Sequence, residues 1–365
     1  MIGRRSVGFQ PSPFLLCLAL FALTTGACAE EPAKPLTYHL YVAAESADEI
    51  YHVSFDGKKA KVENVIEVGY QATEIEGPHG LTVGLDGKHW YLSMAHGQPF
   101  GLLYKYETGT NKLIGRTELG MFPATMQISP ASQLLYCANF NLHGRMLPSS
   151  ISIVDPEAMV EVARTRTGPM PHGSRISPDG LHHYSCAMMS GHLFEIDALS
   201  FKVTRRLQLD EKQPEAHQSL VKPTWVHPHP RKRLAYVALN AAAQIAEIDL
   251  DQWRVTRRFR TGKGPYNLEL TPDGSKLVAS YKTDAAVGIW DTKIGKELAR
   301  VPSFQKVTHG VSISPDGHFA FVSSEGIGAI KGGLDVFDMK TNKKVSSVEL
   351  GLQAGGIAFW KAEPR

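Results

Sequence analysis

The chain has 365 residues, 43% of them hydrophobic and 21% charged, with 33 Gly and 22 Pro. That balance excludes a disordered, collagen-like or coiled-coil chain and leaves room for one large domain or two ordinary ones. The formal charge is only +3, and without Arg4 and Arg5 it is 37 basic against 36 acidic residues, so the bulk charge that drives non-specific nucleic-acid binding is absent.

The amino terminus reads as an address. Arg4 and Arg5 precede an apolar run from Phe14 to Leu23, and Ala27-Cys28-Ala29 follows, the three regions of a secretory signal peptide. The run is about half of the ~20 residues a membrane-spanning helix needs, and no other segment reaches that length. Residues 1–29 are therefore expected to be removed, 30–35 to act as a linker, and the rest to be periplasmic or secreted. Two cleavage readings stand side by side. Release after Ala29 gives a soluble protein, whereas Thr25-Gly26-Ala27-Cys28 resembles a lipobox, which would leave a lipid anchor on Cys28.

After residue 36 one phrase recurs: Gly84-Leu85-Asp86-Gly87, Ser129-Pro130-Ala131-Ser132, Ser177-Pro178-Asp179-Gly180, His229-Pro230-Arg231-Lys232, Thr271-Pro272-Asp273-Gly274 and Ser314-Pro315-Asp316-Gly317. Its second residues lie 45, 48, 52, 42 and 43 positions apart. Asp-Gly between short apolar runs is a hairpin signal, because Gly accepts the positive φ of such turns. A strand precedes each turn, as in Leu81 to Leu85, and a second follows, as in Trp90 to Met94. A third ends in an acid before another turn, as in Glu247-Ile248-Asp249. A fourth alternates polar and apolar residues, as in Arg254 to Arg258. Four short strands in each ~40–50-residue unit make one propeller blade. Six units start near residues 78, 123, 171, 223, 265 and 308. Tyr38 to Val68 supplies three further strands and Gly355 to Phe359 a single one. The sequence thus predicts an all-β, seven-bladed β-propeller over 36–361, with four antiparallel strands per blade and one blade closed by both chain ends.

The phrases Pro-x-Gly, Ser-Pro-Asp-Gly and Tyr-Val-x-Asn resemble those of YVTN-repeat propellers, relatives of lactonase-like propellers, amine dehydrogenase heavy chains and haem-d1-type propellers. The eponymous tetrapeptide reads here as Tyr136-Cys137-Ala138-Asn139 and Tyr236-Val237-Ala238-Leu239. The resemblance covers about residues 36 to 360. It implies the fold and a range of functions from enzyme to cofactor biosynthesis to binding module. Some exported relatives are linked to single-stranded DNA, a role that the near-neutral charge does not favour.

Aligning the units on the turn gives equivalent positions at the start of each innermost strand: Gly355, His79, Ala124, His172, Thr224, Tyr266 and His309. These strands converge on the axis, so the positions should form a ring. Its three imidazoles, His79, His172 and His309, could hold a transition metal or bind an anionic or aromatic ligand together with Tyr266. They belong to blades 2, 4 and 7, which are not neighbours, and this speaks against a tight three-His cage. The alternative is that x-His-Gly merely turns the chain into the strand. His96 and His143, in the loops after the second strands, should share the ring's face. With Met94, Met188 and Met189 nearby, that chemistry suits copper; imidazole alone also suits zinc. Carboxylates Glu74, Glu76 and Glu325 could reach the same funnel. His182, His183, His227, His229 and His318 are expected as solvent-facing residues away from it.

Cys137 and Cys186 are one position out of phase in blades 3 and 4. They should therefore face each other across the two sheets, either as a disulfide or as two buried thiols. The arginines of the outer strands, among them Arg164, Arg205, Arg206, Arg257 and Arg258, form a basic stripe on the rim. No nucleophile elbow, phosphate-binding loop or haem-attachment motif is present. The reading is an exported binding scaffold that takes a protein partner or small ligand at a His-lined funnel. The alternatives are a metal- or cofactor-dependent periplasmic oxidoreductase, or a subunit of one, and a lactonase-like hydrolase.

Overall fold

A computed structural model describes residues 35–365 except 72, 98 and 213–217, together with 1–3 and 8; most of the segment read as a signal peptide, with Cys17 and Cys28, lies outside the described residues. No helix among the described residues is long and apolar enough to cross a membrane. Seven antiparallel four-stranded sheets account for the described strands. Blade 1 pairs the last strand, Ala354–Pro364, with the first, Leu36–Ala44, and continues through Glu49–Phe55 and Ala60–Glu67. The predicted seven-bladed propeller and its closure by both chain ends are therefore observed. The closing strand runs beyond the predicted Phe359 and pairs from Leu36 to Ala44 over that length.

The core is divided into interfaces between blades. Trp90 and Leu92 of blade 2 pack on Tyr41 and Ile50 of blade 1, Phe321 and Val336 of blade 7 pack on Leu40 and Val53 of blade 1, and each of the other five junctions has its own apolar cluster. Alternation of side chains along each strand supplies both faces of a blade at once.

This arrangement corrects the cysteine expectation. Cys137 belongs to the cluster between blades 2 and 3, Cys186 to the cluster between blades 4 and 5, and the junction between blades 3 and 4 contains neither. The phase difference does put them on opposite faces, but on the two that look away from each other. Both are free and buried, and burial raises both thiols far above the usual range, leaving them unreactive.

Turns repeat as the sequence requires. The Gly of the repeated phrase takes the left-handed conformation at Gly87, Gly180, Gly274 and Gly317. In blade 5 a histidine replaces the first residue. His229 is buried, and its Nδ1 accepts the backbone N–H groups of Arg231 and Lys232, as the Ser129 hydroxyl does for Ala131 and Ser132. His229 is thus a turn-capping residue and not a solvent-facing one.

His183 also departs from expectation. It is fully buried, its ring stacks on Tyr136 at 5.0 Å, and neither ring nitrogen has a hydrogen-bond partner. Burial, with help from Arg175, lowers its pKa from 6.5 to about 3. The unfolded chain therefore binds a proton between these values that the folded chain refuses, so stability falls as pH drops below 6.5. His183→Phe keeps the stack and removes the titration. From pH 6.5 to 4 the native protein should lose roughly 3 kcal/mol more than this variant, at ~1.4 kcal/mol per pKa unit. Denaturant melts of both proteins at the two pH values check it, and parallel losses would contradict it.

The rim arginines are partly neutralised within the fold. Arg205 pairs with Glu195 and lies 4.3 Å over Trp253, while Arg257 pairs with Glu247 and donates to the Thr292 carbonyl. Both tie outer strands to the third strands and so act as edge stitching.

Candidate functional site at the axis

The innermost strands begin on the face where second strands end. There the chain enters five of them through a left-handed residue followed by Pro: Gly77-Pro78, Phe122-Pro123, Met170-Pro171, Lys222-Pro223 and Gly264-Pro265. Just inside, the register breaks, between Pro78 and Leu81, Pro171 and Ser174, and Thr308 and Val311 among others. The Gly of His-Gly serves close approach here. A Cβ on Gly80 would fall inside contact distance of the Ala124 carbonyl oxygen of blade 3, and one on Gly310 would stand 2.5 Å from the Gly355 oxygen of blade 1.

Hydroxyls fasten these strands blade to blade. Ser93 accepts from Gly80 N–H and donates to Ala124 O. Ser280 accepts from Asn267 N–H and donates to His309 O. Ser323 accepts from Gly310 N–H and donates to Gly355 O. Thr125 and Thr224 donate from the inner strands themselves, to His172 O and Tyr266 O. The backbone beneath the ring residues is thereby pinned by the preceding blade.

The ring forms. His79 meets His172 and His309 at centroid distances of 5.8 and 5.9 Å, and Tyr266 lies 5.1 Å from His172 and 4.9 Å from His309. Blades 2, 4 and 7 reach one another because the channel is narrow. All four side chains are buried, so the ring closes the channel as a diaphragm. Ala124, Thr224 and Gly355, the other three equivalent positions, are small residues.

A second ring surrounds the first. The residues following the partners of the residues just before the ring positions are Glu45, Ala95, Phe140, Met188, Asn240, Lys282 and Glu325. Glu45 is buried and bridges His79 Nδ1 at 2.8 Å and His96 Nε2 at 3.0 Å. Burial opposes its charge, yet the two imidazoles hold its carboxyl far below the ordinary range, and the hydrogen bond to Glu45 raises His96. The Tyr266 hydroxyl lies 2.8 Å from His172 Nε2, and the Lys282 ammonium sits 4.4 Å over the Tyr266 ring. Glu325 lies 3.4 Å from both His309 Nε2 and Lys282 Nζ. Burial raises Glu325 and Tyr266, and burial followed by neighbouring cations pushes His172 and His309 well down. The ring is a network of proton donors and acceptors in a low-dielectric plug.

His96 and His143 converge on it as expected. Their rings are 5.6 Å apart, and both flank Phe122, at 5.5 and 5.3 Å. Phe122 holds φ +51°, a conformation costing about 1 kcal/mol or more for a bulky residue. Met94 is core filler, buried between blades 1 and 2. Glu76 is buried in loop capping, where it accepts from Tyr70 and Gln71 N–H, and Glu74 is exposed.

Glu45 and Lys282 were not among the expected residues. The alignment of second-strand exits that singled out His96 and His143 would have reached them if carried through Ala44-Glu45 and Tyr281-Lys282. The reading of His79, His172 and His309 as copper or zinc ligands gains no geometric support. Each imidazole has a nitrogen engaged with Glu45, Tyr266 or Glu325, and among the described residues no three His, Cys, Asp or Glu side chains are arranged to hold a metal ion. His227 is not on the surface expected for it: it is half-buried, and its Nε2 lies 3.2 Å from Glu269 in the channel. His182 is half-buried as well, and only His318 of that group is exposed.

Fold and site define a seven-bladed propeller whose axis is plugged on one face by a His–Tyr–Glu network. No protein-family model matches the chain, and no curated protein matches it. A solved structure of Kuenenia stuttgartiensis hydrazine synthase is similar, with a TM-score of 0.64 and 20% identity over 80% of this chain and 92% of that one. At that identity the likeness concerns the fold alone, so the resemblance to YVTN-repeat proteins holds at the level of propeller architecture.

Proposed function

We propose that this chain is an exported binding propeller that docks a protein partner on its funnel face. The observation that carries the reading is where exposed apolar side chains collect. Among the described residues, nine of the large ones lie in funnel-face loops, including Tyr70, Phe100, Leu147, Leu220, Ile327 and Ile330, against four at the turns of the opposite face. The nine come from loops of blades 1, 2, 3, 4 and 7, on the face that also carries His96 and His143. Blades 5 and 6 contribute Lys263 and Lys282 on that side instead. Single exposed apolar residues are ordinary, but a crescent of them on one face marks an interaction surface. Export rests on the charged, apolar and small-residue regions before Glu30.

Site-specific photo-crosslinking in a native exporting host tests this. A crosslinker at Phe100 or Leu147 should trap one defined protein that a crosslinker at Leu199 on the opposite face does not, and Leu220→Asp should reduce the yield at least tenfold. These residues are exposed, so the variants should fold. Equal trapping from both faces, or none, overturns docking. A stoichiometric metal or chromophore in the untagged mature chain would favour the oxidoreductase reading.

A further inference from the structure

On the face opposite the funnel an open cleft of about 560 Å³ lies between blades 2 and 3, and Lys105 lines it. Lys105 is only 8% exposed, yet its ammonium has no hydrogen-bond or ion-pair partner among the described residues. A lysine so far out of water is ordinarily paired, because a charge left uncompensated there is costly. The nitrogen is not one of the fold's sealed polar atoms, so it keeps surface that the cleft can present to a ligand.

Lys105 breaks a pattern of the repeat. In the ladders of blades 4 and 5 a third-strand glutamate stands between a second-strand tyrosine and a fourth-strand arginine: Tyr184, Glu195 and Arg205, then Tyr236, Glu247 and Arg257. Each glutamate is buried and paired with its arginine. The same three positions in blade 2 are Tyr91, Lys105 and Gly115. The acid has become a cation, and the residue that would face it has no side chain. Met159 of blade 3 already fills the space, its Cγ standing 2.8 Å from where a Cβ on Gly115 would lie. The carbonyl beyond is held more loosely too. Leu250 O accepts from Arg205 Nη1 at 2.8 Å, whereas its counterpart in blade 3, Pro156 O, has the Tyr91 hydroxyl at 3.3 Å.

The rest of the lining has the opposite sign, with Asp86, Asp155 and Glu157 against the single lysine. Asp86 and Asp155 each use Oδ1 to cap N–H groups of their own turns, and the Glu157 carboxylate is exposed. A ligand carrying only negative charge would be repelled by these acids, and one carrying only positive charge would leave Lys105 unmatched. We propose that the cleft binds a free amino acid with a basic side chain, of the arginine or lysine type. Its carboxylate accepts from the Lys105 ammonium, a charge-assisted contact of the strong kind. Its aliphatic stem lies along Leu85 and Leu134, and its side-chain cation meets Asp86 and Glu157. The site shares no residue with the apolar crescent and lies on the other face, so it stands or falls independently of partner docking.

The test is calorimetric titration of the full mature chain at pH 7 with arginine, lysine and ornithine. Agmatine and cadaverine, which lack the carboxylate, and acetate, which lacks the cation, are the controls. At least one of the three amino acids should fill one saturable site per chain, and each control should bind at least tenfold more weakly. Lys105→Met keeps the stem and removes the charge. It should weaken binding at least tenfold and, without ligand, raise the melting temperature, because an unpaired charge has left the interior. Glu157→Gln, at an exposed position, is the second variant and should weaken binding several-fold while the melting temperature holds. Absence of binding by all three amino acids, controls that bind as tightly as they do, or an affinity unchanged in Lys105→Met overturns the proposal.

Discussion

Gly80→Ala is expected to destabilise the protein by roughly 3 kcal/mol or more. The added methyl would overlap the Ala124 carbonyl oxygen of the next blade and approach the Ser93 hydroxyl to 3.0 Å. Neither can give way cheaply, because Ser93 Oγ links Gly80 N–H to that same carbonyl. The blade must move outward, which opens the junction where Tyr91 and Leu103 pack on Met126 and Ile128. Overpacking of this kind usually costs 1–3 kcal/mol, and more when backbone opposes backbone. Gly87→Ala provides the contrast. Its Cβ would meet nothing within 4 Å, and only φ +68° resists it, a penalty of about 1–2 kcal/mol. Urea melts of both variants decide the matter. Equal destabilisation would mean that Gly80 serves conformation and not close approach.

Glu45→Ala is the second large effect, on the order of 3–5 kcal/mol, because it strands His79 in the diaphragm without its partner. Glu45→Gln, which keeps an acceptor but no charge, should cost less. The effect has a pH window. Glu45 is held below its unfolded value of 4.5, so its contribution is present above that pH and fades as the medium becomes more acid. His96 is held above 6.5, so its share is complete below that value and fades as pH rises through the raised one. The gap between wild type and Glu45→Ala should therefore be widest between pH 4.5 and 6.5 and narrow on both sides. A gap that does not change from pH 4 to 9 would refute the coupling of Glu45 to the two imidazoles.

Much of this molecule was legible in one dimension. Six copies of a turn phrase, each flanked by strand-length apolar runs, fix the blade and its count. The unpaired runs at the two ends predict the closing blade, since strands left without partners must find each other. Alignment on the turn also placed His79, His172, Tyr266 and His309 on one ring, because equivalent positions of a closed repeat share one height on the axis. Side-chain alternation was less informative. It correctly put Cys137 and Cys186 on opposite faces, but which face turns toward which neighbour depends on the direction in which the blades wind. His183 and His229 looked like surface turn residues because polarity was taken for exposure. One is buried against Tyr136, and the other replaces a serine in a turn.

Periodicity along the chain is enough to give the fold, the approximate start of each blade and the members of the ring. That the ring is closed, that Glu45 and Lys282 complete it, and that a cavity lies beneath appear only in three dimensions. The physical reason is that these features depend on the channel radius, on register breaks in the inner strands, and on contacts between residues as distant as Glu45 and His96 or His172 and Tyr266. A repeat pattern specifies equivalent positions; the distance across the axis appears only when the seventh blade closes on the first.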